Sequence, residues 1–193
     1  MAILPIYEVP HPILKQVAAP VARVDERVVR LLEDMAETMY AAPGIGLAAP
    51  QVGVSERILV TAVPVREGVS REEEADEELG SRSYLTELVN PVITEADGLC
   101  VFDEGCLSVP DMVVEVERAS RIVIEALDRH GQLFSFEAHG FYAVVFQHEM
   151  DHLDGRTLVD RLSPLKRRMY LKKLKKRRRN GPGSDERPAV AGS

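Results

Sequence analysis

Cysteine is scarce in this chain. Cys100 and Cys106 are the only two, too few for a disulfide framework. Long apolar runs are missing too: none approaches the roughly 18 residues of a membrane span. The opening Met1-Ala2-Ile3-Leu4-Pro5 has no basic stretch ahead of an apolar one and no Arg- and Ser-rich lead. Neither a secretory signal nor a transit peptide is expected. Together these absences predict a cytoplasmic protein with no membrane partner. The 193 residues, 45% apolar and 28% charged, suffice for one domain with its own core and an appended tail.

Basic charge is sparse over most of the length. Ten of the 24 Lys and Arg residues fall in 166–179, leaving 14 to face 31 Asp and Glu. That balance excludes a nucleic-acid-binding body but not a nucleic-acid-binding tail. Acid is also concentrated: Glu67 to Glu78 holds seven carboxylates against Arg71 alone.

The expected elements follow from periodicity. Prolines punctuate residues 1–24, which read as irregular. Asp25 reads as a helix N-cap, with Val28, Leu31, Leu32, Met35 and Met39 forming one buried stripe behind it. Ile58 to Val63 reads as a strand. Segment 66–83 has too little apolar surface to pack and reads as an acidic surface insertion. Leu88 to Ile93 reads as a strand that Pro91 confines to an edge or an end. Arg121–Leu127 and Leu133–Glu137 alternate around a turn at Asp128–Gly131, a hairpin signal. A helix begins near Gly140, and a basic one follows Pro164. The predicted class is α+β with mainly antiparallel pairing. Residues 1–165 form the expected catalytic domain, 166–179 a basic C-terminal helix, and 180–193 a disordered tail.

The sharpest motif is Gln147-His148-Glu149-Met150-Asp151-His152. Histidines at i and i+4 leave one helix face a turn apart, so both imidazoles can reach one cation, with the glutamate between them as a general base. Chance delivers H-E-x-x-H only about 0.01 times in a chain of this composition. Phe141, Val144, Val145, His148 and His152 share one helical stripe, so both histidines continue a buried face. The plainer alternative is two core histidines satisfied by hydrogen bonds.

Two imidazoles need a third ligand, with a fourth position for water. An elongated motif fails, because Leu158 stands where a third histidine would be. His11, His130 and His139 lack supporting spacing. Cys106, in Glu104-Gly105-Cys106-Leu107-Ser108-Val109-Pro110, is the better candidate, since a thiolate is a strong ligand for a divalent metal; a small core cysteine is its other reading. A third segment, Gly44-Ile45-Gly46-Leu47-Ala48-Ala49-Pro50-Gln51-Val52-Gly53, is rich in small residues and matches no phosphate loop. Gln51 is its one uncharged side chain able to donate a hydrogen bond into a site; a tight loop followed by a strand is the plainer reading.

Taken together, GIGLAAPQVG (44–53), EGCLSVP (104–110) and QHEMDHLDG (147–155) resemble, in order and spacing, the three signature motifs of bacterial peptide deformylases. The resemblance covers about residues 3–175, including the lead-in Pro10 to Val21. It implies an α+β fold with antiparallel sheets around the H-E-x-x-H helix. It implies one divalent metal on Cys106, His148 and His152, typically Fe2+ and often replaced by Zn2+, Ni2+ or Co2+.

The implied reaction is hydrolysis of the N-formyl group from N-formylmethionyl peptides and nascent chains, yielding formate. Water on the metal attacks the formyl carbon, Glu149 takes its proton and later delivers one to the leaving amine, and the Gln51 amide and Leu107 N–H stabilise the oxygen. Gly46 would offer its backbone to the peptide. Ile45, Val144 and Val145 would line the methionine pocket, with His148 and Leu107 near its floor. Asp111-Met112-Val113 lacks the basic residue that some members place there. A metallopeptidase and a non-catalytic binder of the nascent chain or ribosome are the alternative classes; intact Cys106, Glu149 and Gln51 count against the binder. By the same resemblance the basic C-terminal helix implies a ribosome anchor on an otherwise acidic, monomeric protein, with Leu165, Met169, Leu171 and Leu174 tethering its first turns.

Overall fold

The computed structural model describes residues 2–63 and 85–180. The expected acidic insertion and the tail beyond residue 180 lie outside the described residues. Residues 2–24 are mostly irregular, apart from a 3-10 turn at Pro12–Lys15. Helix α1 (Glu26–Ala41) follows, and its N-cap carboxylate, Asp25, accepts the Val28 N–H at 3.0 Å. Seven strands come next in chain order. They are β1 (Gly46–Ala48), β2 (Ile58–Thr61), β3 (Thr86–Asp97), β4 (Cys100–Cys106), β5 (Val109–Arg118), β6 (Arg121–Leu127) and β7 (Leu133–His139). Helices α2 (Gly140–Leu153) and α3 (Pro164–Asn180) close the described chain.

The strands form a five-stranded sheet in the order β1-β2-β3-β6-β7 and a two-stranded ribbon, β4-β5. All these pairings are antiparallel, as the sequence pattern predicts. The ribbon is the excursion that carries the chain from β3 to β6. Strand β2 explains the layering. Ile58 and Val60 point into a cluster with Val28, Leu32, Met35 and Met39 of α1. Leu59, facing the other way, packs with Ala143, Phe146 and Leu153 of α2. With both faces covered, β2 is apolar throughout its first three residues, and strict alternation is absent.

Helix α2 therefore runs through the interior. Its expected stripe is buried from Val144 on, with Phe141 half-buried, but so are Ala143, Phe146 and Met150 on the other side. The polar histidine side is the exception in an otherwise apolar helix.

Pro91 departs from expectation. Strand β3 is central, lying between β2 and β6. The proline is tolerated because the ladder to β6 is interrupted between Val89 and Val92, so its missing N–H costs no sheet bond. Asn90 at this bulge adopts φ 54°. Its side-chain amide grips Val21 by both backbone groups at 2.8 Å, tying the irregular N-terminal segment to the sheet.

A third cluster joins Val9, Leu14, Val109, Val114, Leu158 and Tyr170. It contains the inner face of α3, where Leu171 and Leu174 pack as expected and Leu165 and Met169 do not. Tyr170 and Leu174 are buried, whereas Leu165 and Met169 are each 64% exposed. The Tyr170 hydroxyl donates to the Pro110 carbonyl at 2.9 Å, and Arg177 meets Asp111 at 2.7 Å. The basic helix is thus packed on the body through the end of the cysteine motif.

Candidate metal centre and active site

Three segments far apart in sequence meet at one point. Strand β4 ends on Cys106, α2 presents His148 and His152, and the 3-10 turn Ala49–Val52 after β1 presents Gln51. Ligand atoms of Cys106, His148 and His152 all lie within 4.8 Å of one another. Cys106 Sγ is 3.2 Å from His152 Nε2. The expected trio is therefore brought together. The unsupported alternatives His11, His130 and His139 are absent from it.

The donor set fits a divalent cation. A thiolate and two imidazoles suit several such metals and leave a position for substrate or water. Burial pushes His152 well below the usual imidazole range, which keeps its lone pair free. Burial also disfavours charge on His148, yet Cys106 and Glu104 outweigh it and raise its pKa well above the usual value.

His148 is held from behind. Its Nδ1 lies 2.8 Å from a Glu104 carboxylate oxygen, which leaves Nε2 for the centre. Arg118 grips Glu104 by two parallel bonds of 2.8 and 2.9 Å. Its third nitrogen reaches Asp151 at 2.7 Å, and Arg161 adds a bond of 2.6 Å to the same Asp151 oxygen. Burial alone would raise the Glu104 pKa, but the bonds from Arg118 and His148 hold it down to about 2. This chain of charges was not anticipated. Its trace in the sequence is Arg118 continuing the alternation of Val114 and Val116, which places a guanidinium on the buried face of β5.

Glu149 is 5% exposed, and its Oε2 has no hydrogen-bond partner among the described residues. Burial pushes its pKa up to about 7. The Gly46 backbone lies against it: a Cβ on Gly46 would be 2.3 Å from Glu149 Oε1. Gln51 is oriented by two contacts. Its Oε1 accepts the Ala48 N–H at 2.7 Å, while its Nε2 donates to Ser108 Oγ at 3.2 Å and faces Cys106 Sγ at 3.8 Å.

An apolar pocket opens beside Glu149. Ile45, Val144, Val145 and His148 line it as expected, and Phe102 and Phe141 complete its wall. The two phenylalanines were missed because neither sits in a signature segment. Leu107 is absent from the lining. It packs instead with the α1 cluster, so its predicted place at the pocket floor is corrected. Its backbone directly follows the cysteine at the end of β4.

Comparison with known proteins agrees with this geometry. Residues 3–168 match the family model described as polypeptide deformylase. A peptide deformylase of Alkalilimnicola ehrlichii is 49% identical over 181 residues, covering 94% of each chain. One from Phenylobacterium zucineum is 47% identical over 177 residues, covering 91% of this chain and 97% of its own. Among solved structures, the Ehrlichia chaffeensis peptide deformylase in complex with actinonin superposes with a TM-score of 0.80 at 38% identity. It covers 93% of this chain and 100% of its own. The Legionella pneumophila enzyme gives 0.76 at 40%, covering 94% and 100%.

Proposed function

The chain belongs to the polypeptide deformylase family, and from that premise we propose how its own residues remove the N-formyl group from formylmethionyl peptides and release formate. The observation that carries the reading is the Cys106-His148-His152 cluster with the unpartnered Glu149 carboxylate oxygen beside an apolar pocket.

Cys106, His148 and His152 would hold one divalent metal. Fe2+ is the proposed native ion, with Zn2+, Ni2+ and Co2+ competent in the same donor set. When bound, the ion supplies Lewis acidity toward water and the formyl oxygen. Glu149 takes a proton from the attacking water and returns one to the departing amine. Negative charge then develops on the formyl oxygen, where the Gln51 amide and the Leu107 N–H donate. Ala48 and Ser108 fix the Gln51 amide, so little reorganisation is needed during reaction.

The substrate methionine enters between Ile45, Val144 and Val145. Its backbone adds along Gly46 on β1, an edge strand of the sheet, in the manner of strand augmentation. Helix α3 presents exposed Lys166, Arg167, Arg168, Lys172, Lys173 and Lys176, a surface suited to the phosphates of a ribosome. No helix of the described residues is long and apolar enough to cross a membrane. A cytoplasmic monomer working on nascent chains completes the reading.

The test combines metal analysis with product assays on formylated, acetylated and unblocked methionyl peptides. Stoichiometric metal and formate release from the formylated peptide alone are expected. Deacetylation at a comparable rate, or cleavage within the unblocked peptide, would contradict the assignment.

A further inference from the structure

The metal ligands and Glu149 leave another side of α2 unused. Gln147, Met150, Asp151 and the C-cap Asp154 recur at i, i+3, i+4 and i+7, which sets them on one side of the helix. They line a second cavity, of about 360 Å³ against about 120 Å³ for the methionine pocket. Val92 and Ile93 of β3 also line it. Cys106, His148, Glu149 and His152 take no part in this lining, so deformylation does not account for the cavity.

Four guanidiniums converge on it. Arg57 comes from the residue before β2, Arg118 from the end of β5, and Arg156 and Arg161 from the segment after α2. Two carboxylates, Asp151 and Asp154, face them. Both are already engaged. Asp151 meets Arg118 at 2.7 Å and Arg161 at 2.6 Å, and Asp154 meets Arg57 at 2.9 Å. Arg156 is exposed and has no carboxylate partner among the described residues. About two positive charges are therefore left uncompensated, which repels a cation and attracts an anion.

Three of the four are fixed before any ligand arrives. Arg118, 5% exposed, is forked onto Glu104 and held by Asp151. Arg57 donates to the Pro91 carbonyl at 3.3 Å as well as to Asp154, and Arg161 rests on Asp151. Planar forks that are already ordered lose little freedom on taking an oxyanion. Beside them Val92, Ile93 and Met150 supply apolar wall. The volume lies within the range of small-molecule sites, about 300–1,000 Å³, and leaves room for more than a bare oxyanion.

We propose that this cavity is a binding site for a small phosphate monoester, separate from the deformylase centre. The phosphate head sits among Arg57, Arg156 and Arg161, with buried Arg118 adding to the field, and an apolar body lies on Val92, Ile93 and Met150. A monoester carries about −1.5 to −2 charge at pH 7, which matches the two spare positive charges. A carboxylate or a phosphodiester, with a single charge, satisfies only half of them.

The test titrates the full-length, metal-loaded protein by calorimetry at low salt with phenyl phosphate, inorganic phosphate and methyl phenyl phosphate. Phenyl phosphate should bind with a Kd of about 1 mM, and the other two about ten-fold more weakly. Inorganic phosphate lacks the apolar body, and the diester lacks the second charge. R156Q removes an exposed side chain that has no ion-pair partner, so the fold is not at stake. It should weaken phenyl phosphate about ten-fold, and R156K should recover part of that loss. K172Q/K173Q, on the exposed side of α3, should change nothing. Undiminished binding in R156Q, or an equal loss in K172Q/K173Q, would put the anion at the metal or on the basic helix and overturn the cavity site. Inorganic phosphate or the diester binding as tightly as phenyl phosphate would overturn the monoester assignment. No binding of phenyl phosphate at about ten times the expected Kd would overturn the proposal outright.

Discussion

Replacing Arg118 by methionine would keep most of the side-chain volume and remove one buried charge. Arg118 is 4% exposed and joins Glu104 to Asp151, which are themselves 5% and 14% exposed. Its loss leaves Glu104 with only His148 Nδ1 and Asp151 with only Arg161. Breaking one partner out of a buried pair costs about 3–5 kcal/mol, because a desolvated charge is left uncompensated. Each carboxylate retains one other partner, so the lower end, about 3 kcal/mol, is expected. For a chain of this size about 2–4 °C accompanies each kcal/mol, which gives a fall in Tm of roughly 6–12 °C. The same change frees Glu104 to shift, and Glu104 is what orients His148. Disturbing a ligand's supporting partner typically weakens metal binding by about 10–100-fold. Scanning calorimetry and competition against a chelator read the two effects separately. Arg118→Lys, which keeps charge but not the fork, should fall between. A Tm within about 2 °C of the parent together with unchanged metal affinity would refute the role given to this network.

Gly46→Ala should retain metal yet lose about 100-fold in kcat, because its Cβ would stand 2.3 Å from Glu149 Oε1 and push the carboxylate out of place; near-parent turnover would mean that Glu149 need not sit there. Cys106→Ala should lose both metal and activity while Cys100→Ala, whose thiol faces the Arg118 and Ala119 carbonyls, keeps both; equal metal loss in the two, read by elemental analysis, would sink the ligand assignment. A chain ending at Leu174 keeps the buried Tyr170 and Leu174 and, among the described residues, gives up one ion pair, the exposed Arg177–Asp111 contact, worth under about 1 kcal/mol. It should process short formylated peptides normally but lose most salt-sensitive sedimentation with ribosomes; unchanged sedimentation would reject the anchor.

Much of the site was legible because its chemistry depends on local spacing. His148 and His152 share a helix face by periodicity alone, and α2 and the β6–β7 hairpin were readable from their patterns. Strand β4 was not. Its residues Cys100 to Cys106 mix small, charged and aromatic types because one edge lines a pocket and one face meets the buried Arg118. Strand β1 was hidden for a related reason: glycine and alanine there permit close approach to Glu149, at the expense of any strand signature. Pro91 misled because a bulge between Val89 and Val92 removes the constraint that proline normally imposes. Tyr170 was overlooked as the tether of α3 because its partner is a backbone carbonyl, that of Pro110, 60 residues away, and no periodicity announces such a contact.

The account stands most directly on the division of labour between Glu149 and the three ligands beside it. Glu149→Gln preserves shape and removes the base, so the decisive measurement is metal content and formate release on that one variant. Full metal occupancy with formate release reduced by at least about 100-fold is the predicted result. Turnover near the parent rate, or loss of the metal along with the activity, would contradict it.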